Sequence, residues 1–338
     1  MIVTLTANPS LDTTIELAGR LERGAVQRAR STTTDPGGKG VNVARVVTAA
    51  GSPALAILPA RDDDPLVTAL ADRGVAHRLV STGSPVRANV TVTEPDGTTT
   101  KINPPGATVD AEHLAALADL VSRHATTADW VALCGSLPPG APDDWYATLV
   151  RALRPLPCAV AVDTSDLPLR ALAAGFPDTA PDLMKPNADE LAQLTGCDGG
   201  ALEAAAEQGD PDPTVRAARA LVDRGVGTVL VTLGGAGAVL VTADGAWFAR
   251  APRITLRSTV GAGDASLAGY LLARVSGESP DSALQLAVAH GTAAAALPGT
   301  ALPRPDQVDR DAVTVTALGV PVAGIASSTP VADPASDL

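Results

Sequence analysis

Asp264 stands in STVGAGDASLAGY, residues 258–270, where a glycine turn runs into an apolar, alanine-rich stretch. A helix starting there leaves the amides of Gly261, Ala262 and Gly263 unpaired, and unpaired amides together with the helix dipole attract an anion. An aspartate at the mouth of such a site has two readings: Asp264 caps the helix, or it accepts a proton beside a bound phosphate. A second glycine turn, PGGKGVNVAR at residues 36–45, puts Gly38, Lys39 and Asn42 before another apolar helix. It is not a P-loop, because Lys39 is followed by Gly40 where Ser or Thr is required. Consecutive glycines weaken a helix start, so the turn is read as a place where a substrate approaches the backbone, with Lys39 and Asn42 reaching its oxygens.

Three further stretches carry chemistry of lower specificity. In KPNADELAQLTG, residues 185–196, Asn187 and Glu190 have capping-box spacing. Residues three apart also share a helix face, so the same amide and carboxylate could hold waters of a magnesium ion, and the two readings are compatible. TLGGAGAVLV, residues 232–241, contains Gly235 and Gly237 but has leucine at 240, and a β-branched run follows instead of a helix; a dinucleotide fingerprint is excluded. Two readings stay open there, a glycine turn lining a nucleotide and a plain hairpin turn. GSLPPGAP, residues 135–142, is a turn at a strand end.

The chain has three lysines against twenty-two arginines, and Lys39, Lys101 and Lys185 each lie beside glycine, asparagine or proline. That placement suits compact point charges at phosphate sites better than surface filling. His77, His113, His124 and His290 lack ligand spacing, and Cys134, Cys158 and Cys197 form neither a C-x-x-C pair nor an even set. A net charge of −12 argues against a nucleic-acid partner. With 46% hydrophobic residues but no apolar run of membrane-spanning length, and no secretory leader pattern at MIVTLTANPS, the chain reads as soluble and cytoplasmic.

These residues need a scaffold. IVTLTA, ALAIL, WVALCG, CAVAVD, DLMKPN and TVLVTLG read as buried strands, and VNVARVVTAAG, DAEHLAALADLVSRH and PTVRAARALVDRG as helices between them. The alternation predicts an α/β fold with a parallel sheet covered by helices on both faces. Residues 86–103 alternate on either side of PDG as a hairpin, and residues 11–34 are polar and strand-like, so together they are expected to form a small sheet standing off the body as a lid. One domain is expected over residues 1–318, with a loosely ordered Pro-, Ser- and Ala-rich tail over 319–338.

Taken in order, GGKGVNVA, GSLPPG, KPNADE, TLGGAGA and STVGAGD resemble the ribokinase-like sugar kinases of the phosphofructokinase B family, over most of the chain from Ile2 to about residue 300. TANPSLD, RANV and TKIN place the resemblance in its phosphofructokinase branch. The resemblance implies a three-layer ribokinase-like fold with a mostly parallel sheet and a β-sheet lid, and an ATP- and magnesium-dependent kinase converting fructose 1-phosphate to fructose 1,6-bisphosphate. Neighbouring readings are a tagatose-6-phosphate kinase, a 6-phosphofructokinase, or a non-catalytic regulator that binds sugar phosphate and nucleotide. On this resemblance Asp264 matches the catalytic base and Gly261, Ala262 and Gly263 the anion hole. Asp12, Gly38, Lys39, Asn42 and Ser136 match sugar contacts, and Lys39, Arg87 and Lys101, with Arg28 as a further candidate, are expected to meet the substrate's own phosphate. Lys185, Asn187, Thr232, Gly234, Gly235, Gly237, Ser258 and Val260 are expected along the nucleotide, with Asn187 and Glu190 near magnesium. Pairing of two copies through the lid is the expected assembly. Ser258-Thr259 stands where many members have Asp-Thr, which the phosphofructokinase branch shares.

Overall fold

Ile2–Thr6 is buried along its whole length, and its side chains alternate between two apolar layers, Val3 and Leu5 on one side and Ile2 on the other. Strands covered on both faces read as continuous apolar runs, which is why so few of these segments show polar alternation. The computed structural model describes residues 1–319. In chain order β1 (Ile2–Thr6), β2 (Ser10–Leu17), β3 (Ala29–Gly37), α1 (Lys39–Ala49), β4 (Ala54–Pro59), α2 (Pro65–Asp72), β5 (His77–Val80), β6 (Arg87–Thr93) and β7 (Thr99–Ile102) come first. Then follow α3 (Ala111–Ala125), β8 (Trp130–Cys134), α4 (Trp145–Leu153), β9 (Ala159–Asp163), α5 (Asp166–Ala174), β10 (Leu183–Met184), α6 (Ala188–Thr195), α7 (Gly199–Glu207) and α8 (Asp212–Val222). The last elements are β11 (Thr228–Thr232), β12 (Gly237–Thr242), β13 (Ala246–Arg250), α9 (Ala262–Val275), α10 (Pro280–Ala295) and β14 (Thr314–Leu318).

Ten strands form one sheet in the order β14-β13-β12-β11-β10-β9-β8-β1-β4-β5. Neighbours from β11 to β5 are parallel, and β12, β13 and β14 add antiparallel pairs at one edge. Helices α3 to α8 cover one face through side chains such as Leu117, Tyr146, Leu191 and Leu221; α1, α2, α9 and α10 cover the other through Val43, Leu66, Leu271 and Leu284. The chain leaves β1 toward β4 on one side and returns to β8 on the other, so the order reverses between β1 and β8. A crevice opens at such a reversal beyond the carboxyl ends of the strands, and that is where an α/β sheet binds its ligands.

A separate four-stranded sheet has the order β3-β2-β6-β7. Two antiparallel pairs, β2 with β3 and β6 with β7, are joined by the parallel pairing of β2 with β6. Directly opposed residues share a face, so Ser10, Asp12 and Thr14 lie with Arg87, Asn89 and Thr91, with Asp35 and Gly37, and with Lys101. This face looks onto the body: a Cβ on Gly299 would lie 3.2 Å from Thr14 Oγ1. The opposite face carries Thr13, Ile15, Val90, Val92 and Ile102.

Two expectations need adjustment. DLMKPN, read as a strand, forms a ladder only at Leu183–Met184 and a single bridge from Asn187 to Thr232, because Pro186 between them has no amide to give. The Lys185 amide still donates to Val162 O at 3.1 Å and the Thr232 amide to Pro186 O at 3.1 Å, so the segment stays tied to both neighbouring strands until it feeds α6. The tail expected over 319–338 lies, apart from Gly319, outside the described residues.

Candidate active site

Two helix N-termini meet in the crevice. Helix α1 begins after Gly38, whose φ of 110° lies in the region that favours glycine, and α9 begins after Gly261, with φ 77°. The Asn42 side chain in α1 donates from Nδ2 to Asp264 Oδ2 in α9 at 2.8 Å, across 222 positions of sequence. Both are almost wholly buried, 6% and 7% exposed. Asp264 occupies the third position of α9, one turn in from the N-cap Gly261, and its side chain is engaged by Asn42. No side chain caps the first-turn amides, and Gly261 is the left-handed residue that starts the helix.

Under this pair lies a charge cluster built around a residue that no sequence pattern singles out. Asp163, at the carboxyl end of β9 and with a fully buried side chain, receives a hydrogen bond from Lys39 Nζ at Oδ1, 2.7 Å. Its Oδ2 lies 3.0 Å from Lys185 Nζ, an ion contact outside good hydrogen-bond alignment. Lys39 Nζ is also 3.9 Å from Glu190 Oε1. A Cβ on Gly263 would come within 3.2 Å of Lys185 Nζ, so the ammonium sits directly against the glycine turn that opens α9. The one available signal for Asp163 was its position at the end of a strand in CAVAVD; its partners come from residues 39 and 185, too far apart for spacing to reveal.

Three carboxylates and two ammonium groups share this space, and their titrations separate accordingly. Burial first, and the Asp163 charge second, push the Asp264 carboxyl up to about 6, against the pull of Lys39, the Asn42 hydrogen bond and Lys185. Burial alone would raise Asp163, but Lys185 and Lys39 hold it below its ordinary value. Burial raises Glu190. Lys39, which burial would lower, is held above its ordinary range by Asp163, Glu190 and Asp264. The arrangement thus holds one carboxylate, Asp163, below its ordinary range and raises another, Asp264, to about 6.

At the entrance of α6 the capping box is complete: the Glu190 amide donates to Asn187 Oδ1 at 2.7 Å and the Asn187 amide to Glu190 Oε2 at 2.9 Å. Glu190 Oε1 is left outside the box and faces Lys39. Among the described residues no group of three His, Cys, Asp or Glu could hold a metal by itself. A carboxylate oxygen outside the box, shared with Lys39 at 3.9 Å, suits magnesium, which keeps waters and binds through a carboxylate plus substrate phosphates. Alongside, Thr232 bridges to Asn187, and Gly234–Ala236 form a single 3-10 turn between β11 and β12. The glycine segment is therefore a turn between antiparallel strands. Gly237, with φ 118°, is required by the ladder, since a Cβ there would meet Ala249 O at 2.0 Å, whereas Gly235 faces open space. Ser258 Oγ accepts from the Val260 amide at 3.1 Å in the segment leading into α9.

On the lid, Asp12 packs against Gly37, where a Cβ would meet Asp12 Oδ2 at 2.2 Å. Its Oδ1 accepts from Ser10 Oγ at 2.7 Å and Asn89 Nδ2 at 2.9 Å. Arg87 spans the base of the lid, donating to Pro104 O and Asn8 O at 3.1 Å each, and only its buried Nε has no partner. Asn8, another residue outside the sequence motifs' candidate set, donates to Pro105 O at 2.9 Å and to Ser136 Oγ at 3.4 Å, tying the loop after β8 to the lid. Lys101 is exposed on the inner lid face opposite Thr91. Lys39 is engaged with Asp163 instead of standing free, and Arg28 is not brought near: it precedes Ala29, which pairs with Leu17 at the lid's far end, five residues or roughly 17 Å along β2 from Asp12.

Residues 5–307 match the family described as pfkB family carbohydrate kinase. A 1-phosphofructokinase of Xanthomonas campestris is 36% identical over 274 residues, 80% of this chain and 83% of its own. That of Rhodobacter capsulatus is 35% identical over 325 residues, 95% and 98% of the two chains. Phosphofructokinase-2 from Escherichia coli, solved in complex with substrates and products, superimposes with a TM-score of 0.82 at 30% identity, covering 91% of this chain and 96% of that one. The same enzyme has been solved with fructose-6-phosphate. A ribokinase from Thermotoga maritima shares the fold, with a TM-score of 0.66 at 20% identity over 92% of this chain and 97% of that one. The layered sheet, its separate small sheet and these likenesses lead to one conclusion: the chain belongs to the pfkB family of carbohydrate kinases, with a ribokinase-like fold, and is an ATP-dependent kinase.

Proposed function

We propose that this kinase converts fructose 1-phosphate to fructose 1,6-bisphosphate with Asp264 as the general base. The observation that carries the mechanism is the Asp264 carboxylate itself, buried, pushed up to about 6 and set at the mouth of the α9 amides. A sugar hydroxyl is a poor nucleophile, and a positioned acceptor with a pKa near the working pH contributes roughly 10² to 10⁴ in rate. In this reading the sugar lies beneath the lid among Asp12, Gly38, Asn42 and Ser136. Its free hydroxyl gives its proton to Asp264 as its oxygen bonds to the γ-phosphorus of ATP; the bond to the β-phosphate oxygen breaks and ADP leaves. The amides of Gly261, Ala262 and Gly263, with Lys185 against them, face the charge that develops on the transferring group. Asn187, Thr232, Gly234, Gly235, Gly237, Ser258 and Val260 line the nucleotide. Glu190, with Asn187, would hold magnesium through the oxygen outside the capping box and through waters, and the bound ion would offset the charge of the phosphates.

The relatives named 1-phosphofructokinase support fructose 1-phosphate as the acceptor, and Lys101 and Arg87 on the inner lid face, with Lys39 beyond Asp163, are the cations offered to its phosphate. The phosphofructokinase-2 solved with fructose-6-phosphate supports a second reading, a 6-phosphofructokinase. The lid face carrying half-buried Ile15, Val90 and Val92 and Ile102, the last 60% exposed, supports pairing of two copies through the lid. The reading places the enzyme in the cytoplasm, with its nucleotide. ATP consumption measured in parallel on fructose 1-phosphate, fructose 6-phosphate, tagatose 6-phosphate and ribose tests the assignment. A kcat/KM at least about tenfold higher on fructose 1-phosphate is expected, a difference of about 1.4 kcal/mol in transition-state binding. Preference for fructose 6-phosphate would establish the second reading, and no turnover on any of the four would leave a binding protein.

A further inference from the structure

Lid strand β3 ends at Asp35, Pro36 and Gly37, and one guanidinium touches both this end and the catalytic amide. Arg45 of α1, with a side chain only 10% exposed, donates from Nη1 to Pro36 O at 2.8 Å and to Asn42 Oδ1 at 3.3 Å, and its Nη2 lies 3.4 Å from Asp35 Oδ1. Asp35 is gripped from two other elements as well, by Arg73 Nη2 at 2.6 Å and by Thr300 Oγ1 at 3.1 Å.

The two ends of an amide group have nearly the same shape, so its orientation follows its partners. Asp264 needs the NH₂ end of Asn42, because an amide oxygen turned toward a carboxylate would repel it. A guanidinium has five donors and no acceptor, so an amide facing it must present oxygen. Arg45 and Asp264 therefore demand the same orientation of Asn42 from its two ends. We infer that Arg45 is a positioning residue for catalysis, holding the Asn42 amide in the orientation that serves Asp264 while seating the end of the lid strand with the same fork. Loss of lid contact and loss of base geometry are thus linked through one side chain.

The inference rests on the reading of Asp264 as proton acceptor. The groups that face Asp264 are Lys39 and Asn42 from α1, Asp163 from the end of β9 and Lys185 from the segment after β10. Arg45→Met leaves all of them in place but frees the amide to turn, which removes a hydrogen bond from the charged form of the base. Arg45→Lys keeps a cation beside Asp35, but a single ammonium cannot reach Asp35, Pro36 O and Asn42 Oδ1 together.

The experiment is turnover against pH, between about pH 5 and 9, for the native enzyme and both variants, with KM for sugar phosphate and for ATP and the melting temperature of each. In both variants the midpoint of the acid limb is expected to move upward by roughly half a unit or more, and kcat to fall roughly tenfold, with KM for ATP unchanged. Arg45→Lys should recover the sugar-phosphate KM better than it recovers the limb. If Arg45→Met does not fold, Arg45→Lys decides alone. A folded variant whose acid limb is unmoved overturns the inference, whether kcat falls evenly at every pH or not at all. If Asp264→Asn is inactive in that case, the base assignment stands without it; if Asp264→Asn turns over normally, the underlying reading has failed.

Discussion

A carboxylate held 7% exposed at the start of a helix, with another carboxylate nearby, carries an electrostatic cost whenever it is ionised. For Asp264 the sign follows from its shift, from an ordinary 3.8 up to about 6. The folded state binds this proton more tightly than the unfolded state, so the contribution to stability is full below pH 4 and is lost as pH rises through about 6. Asp264→Asn cannot ionise and keeps the oxygen that accepts from Asn42. Above that pH the variant should melt no lower than the native protein and up to roughly 3 kcal/mol more stably, and the difference should vanish toward pH 4. Turnover should move the other way, falling by roughly 10² or more, about 2.7 kcal/mol of transition-state stabilisation, because an amide accepts no proton. Melting temperature at two pH values and kcat on the same purified variant check both. Normal turnover would remove Asp264 from the chemistry and send the search for a base elsewhere in the cluster.

Helix α1 delivers Lys39, Asn42 and Arg45 to the site, and its distance from β1 is set by Gly40. A Cβ there would stand 2.5 Å from Thr6 Oγ1 and 2.9 Å from Leu5 O, so the helix start lies flush on the strand's backbone and cannot accept a methyl group without moving. Gly40→Ala should cost roughly 1–3 kcal/mol through overpacking and lower kcat as well, since the whole first turn shifts. Gly235 provides the contrast, because a Cβ at that position would have nothing within 4 Å and its φ is not left-handed. Gly235→Ala should leave the melting temperature unchanged and, on the proposed lining of the nucleotide by this turn, raise KM for ATP. Thermal melts and ATP titrations of the two variants together check the argument; a native-like melt for Gly40→Ala would mean that α1 is not seated as tightly as this contact requires. Elements of this kind are legible in the sequence, since glycine turns, capping boxes and apolar runs are local patterns. The Asn187–Glu190 box is complete, while the strand read in DLMKPN is shortened at Pro186 because a proline interrupts what apolarity alone suggests.

Across the fold as a whole, the lid face turned away from Gly299 ends in an exposed Ile102. Ile15 is paired with Val92 and Val90 with Ile102 on that face, an apolar stripe of the kind a second layer normally covers. Two copies meeting there would bury it, and Val92→Lys should then convert a dimer to a monomer with little change in the melting temperature of the body. Light scattering on both proteins checks this, and a native protein that is monomeric at micromolar concentration would sink the proposal.

Local patterns along the chain were enough to establish the class of fold, the presence of a lid and the two glycine turns that start α1 and α9, because each depends on residues close together in sequence. They also drew attention to Lys39, Lys185, Asn42 and Asp264 as residue types suited to phosphate and proton chemistry. How these residues combine was settled by contacts between distant segments. Asn42 meets Asp264 across 222 positions, Lys39 reaches Asp163 across 124, and the strand-order reversal between β1 and β8 opens the crevice where they gather. Asp163 could not be found from spacing, nor could the occupation of Lys39 by a carboxylate, because burial and long-range Coulomb pairing belong to the folded chain alone. The poise of Asp264 near neutral pH is likewise a product of that enclosure, which removes water from its charge and places a second carboxylate beside it.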